Sequence, residues 1–311
     1  MFHLVKVMGL LFLPLVMIPE LPAATSPMTD EHLFSLLKND TIPYLNIPRR
    51  RDDAWGAAEF ASQIADLSII DREKAVIREI LSGNVPAFSR NLKPVKVTEV
   101  IKGKRYTLVF FVTLDYLAIG SDEDYLYIPM TPSTAQYLAS QLDCVLPTKK
   151  MVDIIYHRAG LKLRPQPIAP SDSMTTVPVF KQHTDSIKHQ IRQLGFDRVD
   201  DQMLAGHKKD IIISNEIYRS KRAAGSVVIY GWHLGENKPI QPVYNGHHAR
   251  YADYSHGVRL IAQAAYLQGE PIPVDRLLQD ESLSVLLSNE GMIHKSTYPE
   301  TDLLLPDQER N

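Results

Sequence analysis

The sequence predicts an α+β protein in which N-terminal helices precede a central antiparallel sheet, and C-terminal strands and helices frame one polar pocket. Three observations carry that reading. Apolar residues recur at helical spacing between residues 54 and 83, the period changes to that of strands from Val95, and the last third places polar, histidine-rich runs at the ends of strand-like segments.

The chain has 311 residues, 44% hydrophobic and 23% charged, enough apolar side chain for a sizeable core. Its formal net charge of -2, with Lys and Arg dispersed, lacks the basic footprint of a nucleic-acid binder, so no nucleic-acid partner is expected. The single cysteine, Cys144, cannot pair within the chain and reads as a buried, inert thiol.

Residues 1–24 have a cationic start at Lys6, an apolar run from Val7 to Ile18, and small residues at Ala23 and Ala24. That is the pattern of a secretory signal peptide. Pro14, Pro19 and Glu20 leave the run too short to span a bilayer, so a secreted or periplasmic protein without stable membrane insertion after signal removal is expected. Residues 25–311 read as a single α+β domain. A sub-boundary would fall in the Pro-rich stretch 161–179, which a loop crossing one domain explains equally well.

After the signal, EHLFSLLKND reads as a short amphipathic helix with Phe34 and Leu37 on one side. A helix pair follows, AWGAAEFASQIADL and IDREKAVIREILSGN, in which Asp71 can cap the second helix and Gly83 supplies its left-handed stop. From Val95, β-branched and aromatic residues suggest two or three strands in an antiparallel meander, with turns at Lys102-Gly103 and Gly120-Ser121-Asp122. Thr131 and Pro132 open TPSTAQYLASQLD as a helix, and PTKKMVDIIYHRAG and TDSIKHQIRQLGF read as two more. In the C-terminal part KKDIIISNEIY and SVVIYGWH look like strands, VRLIAQAAYLQG like a helix, and VDRLLQDESLSVLLSNEG like one or two further helices.

Chemistry concentrates in three neighbourhoods: GHKKD (206–210), YGWH (Tyr230, Trp232, His233), and the run YNGHHARYADYSHGVRL, which carries three histidines and three tyrosines. The last would enter a helix, whose free N–H groups suit an anion or a developing oxyanion. In a metal reading His233, His247 or His248, Asp253 and His256 supply nitrogen and oxygen ligands, and zinc would be the metal. The spacing from His248 to His256 matches no standard zinc motif. In a nucleophilic reading Ser255 attacks, with His233 or His248 as base; alternatively Ser255 only caps the helix. Trp232, Tyr244, Tyr251 and Tyr254 around Asp253, Arg250 and Arg259 would also make a glycan platform.

SHGVRL resembles the signature of the L,D-transpeptidases, which reads Ser or Thr, His, Gly, Cys, an aliphatic residue and Arg. Ser255, His256, Gly257, Val258 and Arg259 match it with the nucleophilic cysteine deleted between Gly257 and Val258. The resemblance implies a cell-wall or peptide-like ligand and carries over no nucleophile. The wider text, LPTKKMVD, AGHKKD and YGWH, resembles a family of secreted bacterial proteins.

Together these features predict a secreted hydrolase or acyl-transfer enzyme acting on a cell-wall or extracellular polymer. His233, His248, Asp253, Ser255 and His256 form its catalytic set, and Lys209, Trp232, Tyr251, Tyr254 and Arg259 its substrate contacts. The alternative is a non-catalytic glycan- or cell-wall-binding protein.

Overall fold

A computed structural model describes residues 43, 45–196, 202–219 and 225–299, and within them the chain is α+β. The expected signal peptide and the helix expected around Phe34 and Leu37 both lie outside the described residues.

The helix pair forms as α1 (Ala57–Ile64) and α2 (Ile69–Leu81). α1 buries Ala57, Phe60, Ala61 and Ile64, the i, i+3, i+4, i+7 stripe of an amphipathic helix. α2 is capped by Ser68, whose hydroxyl accepts from the Asp71 N–H, so Asp71 is a first-turn acid rather than the cap. Gly83 closes it at φ 94°.

The period-two segment becomes the hairpin β1 (Leu92–Ile101) and β2 (Lys104–Thr113), turning at Lys102 and Gly103, both left-handed. β2 is apolar on both faces because both are covered: Leu108, Phe110 and Val112 enter the main core, while Val109 and Phe111 join a small cluster with Ala262. The expected meander breaks here. β3 (Ala118–Gly120) and β4 (Tyr125–Tyr127) pair only with each other.

Three helices follow, the first two with side-chain caps. α3 (Pro132–Gln141) starts at Thr131 with Pro at its first position, and after β5 (Cys144–Val145) α4 (Lys149–Arg158) is capped by Thr148. The Pro-rich stretch contributes β6 (Leu161–Lys162) and a 3-10 turn before α5 (Val177–Gln193). Leu161 and Leu163 sit in the one main core cluster, which runs from Leu45 to Tyr298.

The remaining strands are β7 (Leu204–Ala205), β8 (Lys209–Ile211), β9 (Ser226–His233), β10 (Pro239–His248), β11 (His256–Gly257), β12 (Ile261–Ala262), β13 (Ala264–Leu267) and β14 (Glu270–Pro273), followed by α6 (Val274–Leu278). The central antiparallel sheet runs β14-β13-β2-β12-β5, with β1 also on β2. A second sheet runs β10-β9-β8-β11, parallel only between β8 and β11, and β6 pairs with β7.

VRLIAQAAYLQG is therefore not a helix. Thr113 N–H donates to the Leu260 carbonyl, and the Arg259 guanidinium donates to the Thr113 carbonyl, so this segment completes the edge of β2. Gln268 and Gly269, both left-handed, then turn it into the β13–β14 hairpin. A buried sheet edge with unpaired backbone groups overrides modest helix propensity. The run YNGHHARYADYSHGVRL is likewise strand and loop, so Ser255 leads into β11 rather than into a helix. No helix among the described residues is long and apolar enough to cross a membrane.

Candidate active site

The four-stranded sheet brings the three polar neighbourhoods side by side. Lys209 on β8 lies opposite Gly231 on β9 and His256 on β11, and Asp210 lies opposite Tyr230 and Gly257. β9 is then deflected: Gly231 has φ 113° and Trp232 φ 56°. A bulky residue in the left-handed region costs about 1–3 kcal/mol. Trp232 is held there by its backbone N–H to the Lys208 carbonyl (3.1 Å) and its indole N–H to the His207 carbonyl (3.2 Å).

The deflection sends His233 towards α4, where it lines an open cleft of about 380 Å³. Its Nε2 lies 3.2 Å from Asp153 Oδ1, and its ring stacks on Tyr156 at 4.5 Å between centroids. Asp153 also accepts from the Tyr230 hydroxyl (2.6 Å) and the Lys149 ammonium (2.7 Å). Burial alone would raise this carboxyl, but the hydrogen bonds from His233, Lys149 and Tyr230 outweigh it and hold the pKa below the ordinary aspartate value. With Nε2 directed at Asp153, Nδ1 is the nitrogen left without a hydrogen bond among the described residues. The imidazole is thus held in one orientation by a carboxylate and a ring stack.

Asp253, Ser255 and His256 form a separate group. The Ser255 hydroxyl donates to Asp253 Oδ1 at 2.5 Å, and its backbone N–H reaches the same oxygen at 2.8 Å. The serine is thus tied to a carboxylate rather than to a histidine, which leaves it without an adjacent base in this conformation. His256 Nε2 stands 4.0 Å from Asp253 Oδ2, beyond hydrogen-bond reach, and burial lowers its pKa to about 4. Tyr251 donates to Asp253 Oδ2 and stacks on His247 at 4.0 Å.

Behind both groups lies a buried polar layer. Lys208 is 1% exposed; its ammonium donates to the Tyr254 carbonyl (2.7 Å) and to His183 Nδ1 (3.1 Å), and burial pushes its pKa down to about 7. His207 is enclosed by Tyr116, Tyr127 and Asp115, with Nε2 3.2 Å from Asp115 Oδ1 but too poorly aligned for a hydrogen bond. Asp210 accepts from the Tyr116 hydroxyl at 2.8 Å, and burial raises its pKa to about 6.

Arg259 belongs to this layer, which corrects its expected role as an anion contact. It is 1% exposed, bonds the Thr113 and Leu204 carbonyls, and lies 4.3 Å over the Tyr116 ring. Trp232 and Tyr254 are also buried, so neither can present a ring face to a sugar, and Tyr254 bonds both backbone groups of Ile168 instead. Lys209 is half-buried with its ammonium 4.8 Å over the Trp232 ring. His248 is exposed and accepts from the Arg250 N–H.

The ligand set of the metal reading does not come together among the described residues. His233 is committed to Asp153, and no three His, Cys, Asp or Glu side chains among the described residues are placed to hold a metal ion. Cys144 is buried on β5, with its thiol pKa raised by burial. The residues that sequence reasoning missed are Asp153 and Tyr156 on α4. Their signal was the polar face of that helix, where Lys149 and Asp153 form an i,i+4 pair opposite the buried Met151, Val152 and Ile155. In comparisons with protein families, curated proteins and solved structures, nothing matches this chain.

Proposed function

We propose that the protein is a secreted or periplasmic hydrolase or acyl-transfer enzyme acting on a cell-wall or other extracellular polymer, with His233 as its acid–base group. The observation that carries this reading is the His233–Asp153 pair on the wall of an open cleft. Asp153, held by Tyr230 and Lys149, fixes the imidazole so that Nδ1 is free to take a proton. In hydrolysis His233 removes a proton from water as its oxygen bonds the scissile carbonyl carbon, then returns the proton to the leaving group as the old bond breaks. An acceptor amine in place of water gives acyl transfer.

The alternative, a glycan- or wall-binding protein, is favoured by one observation: His233 makes no hydrogen bond to a serine, threonine or cysteine among the described residues. Turnover of isolated wall material and extracellular glycans by wild type, His233→Ala and Asp153→Asn decides between them. Losses of about 10²–10⁴-fold in kcat are expected for His233→Ala. Turnover that survives both substitutions rules out the dyad, and saturable binding without product moves the protein to the binding class.

A further inference from the structure

Resting on the reading of the cleft as a substrate site, we propose that it takes an extended peptide with a free carboxylate, which adds as a strand to the outer edge of β1 at Thr98. Four consecutive residues, Lys96 to Glu99, line the cleft. Successive strand residues point to opposite faces, so a space touched by all four lies along the edge of β1 rather than over one face.

The register shows which backbone groups face that space. Thr98 lies opposite Thr107, yet Thr107 spends its own N–H on Gln268 Oε1 (2.6 Å) and its carbonyl on the Gln268 N–H (2.8 Å). Thr98 and Thr107 are therefore a non-hydrogen-bonded pair, and the Thr98 N–H and C=O point away from β2. Val100, two residues on, has the same parity. Both residues are exposed, and β1 pairs with no other strand among the described residues. Pro94, also on the outward parity, bounds the usable edge because it has no N–H to offer.

Donors and acceptors repeated every second residue fit the main chain of another strand, which is the geometry of β-strand addition. A glycan offers no such amide row. Across the cleft stand Tyr156, stacked on His233, and the cations of α4. Lys150 is bonded to Glu99 and His157 faces Glu236, whereas Arg158 is exposed and has no partner among the described residues. It is the cation left to hold a carboxylate. A volume of about 380 Å³ falls within the ~300–1,000 Å³ of ligand pockets.

The probe is a randomised library of N-acetylated hexapeptides with a free C-terminal carboxylate, with retention by the full chain read by mass spectrometry. Wild type is expected to retain it at least tenfold above the same library with every backbone amide N-methylated, and above a C-terminally amidated library. Thr98→Pro removes one outward N–H and no β1–β2 ladder bond, and should lower retention at least tenfold. Arg158→Ala should erase the preference for acid over amide. Equal retention of the N-methylated library, a comparison that alters nothing in the protein, overturns the proposal, as does wild-type retention by a folded Thr98→Pro chain. Should His233→Ala abolish wall turnover while no peptide is retained, the docking edge falls and the enzymatic reading stands. Edge-dependent retention by a chain whose turnover ignores His233 does the reverse, keeping the docking edge and removing the enzymatic reading.

Discussion

Lys208→Met should change the pH dependence of stability in a direction set by burial. The folded-state pKa of Lys208 is about 7, lowered first by desolvation and only partly restored by Asp253 and Asp115. An unfolded lysine titrates near 10.4. Between these values the unfolded chain carries a proton that the folded chain has shed, so stability rises with pH at up to about 1.4 kcal/mol per unit. Below pH 7 both states are protonated and the whole penalty, about 5 kcal/mol, bears on the folded state. The assay is urea unfolding of wild type and Lys208→Met at half-unit steps from pH 6 to 9.5. Wild-type stability minus that of the variant should be flat below pH 7 and climb above it, because methionine removes the titration while leaving other groups in both chains. A flat difference across the range refutes this reasoning, since it would mean that Lys208 keeps a near-normal pKa through its bonds to Tyr254 and His183.

Other substitutions test the remaining parts of the site. A Cβ on Gly257 would stand 2.6 Å from the Tyr116 ring and 2.7 Å from Lys208 Cβ, so Gly257→Ala should lower unfolding free energy by about 1–3 kcal/mol in denaturant titration. Arg259→Met strands Asp210 and two carbonyls, and a loss of about 3–5 kcal/mol is expected in the same measurement, with no role in ligand affinity. Both ring nitrogens of His256 are buried without a partner, so His256→Leu should leave the melting temperature unchanged or raised. A clear drop would show that the imidazole makes stabilising contacts that its geometry lacks. Tyr298→Phe removes a hydroxyl that bonds the Ile212 carbonyl at 2.7 Å and accepts from the Val228 N–H, and should cost about 1–2 kcal/mol, read by calorimetry.

What could be read in the sequence was what local chemistry decides. Thr131 with Pro132, Lys102 with Gly103 and the left-handed Gly83 each act within a few residues, and each marks its turn or helix end where expected. The strand character of residues 258–267 was not legible, because it depends on the edge of β2, about 150 positions earlier in the chain. The same holds for the site. His233 was evident as a polar residue at a strand end, but its partner Asp153 lies 80 positions away on a helix that looked ordinary for its apolar face. Arg259 shows the converse error. A charged residue in a polar motif suggests a ligand contact, and only the packing of Tyr116 and two backbone carbonyls reveals a core arginine.

The buried polar layer and the His233–Asp153 pair differ in how their polar groups are satisfied, and that difference bears on where an imidazole is held in one orientation. Among the described residues nine buried side-chain atoms lack a hydrogen bond, and six of them are on His183, His207, Asp210 and His256 of the buried layer. Each such atom costs roughly 1–3 kcal/mol, as does the left-handed Trp232 beside them. Around Asp153 the opposite holds: it receives three donors, and His233 is both bonded and stacked. An acid–base group must stay in one orientation through proton transfer, which a satisfied network provides and a row of unpartnered imidazoles does not. The buried layer consequently acts as the wall that aims β9, with Trp232 as the joint, and sets the His233 imidazole against Asp153 and Tyr156 at the wall of the cleft.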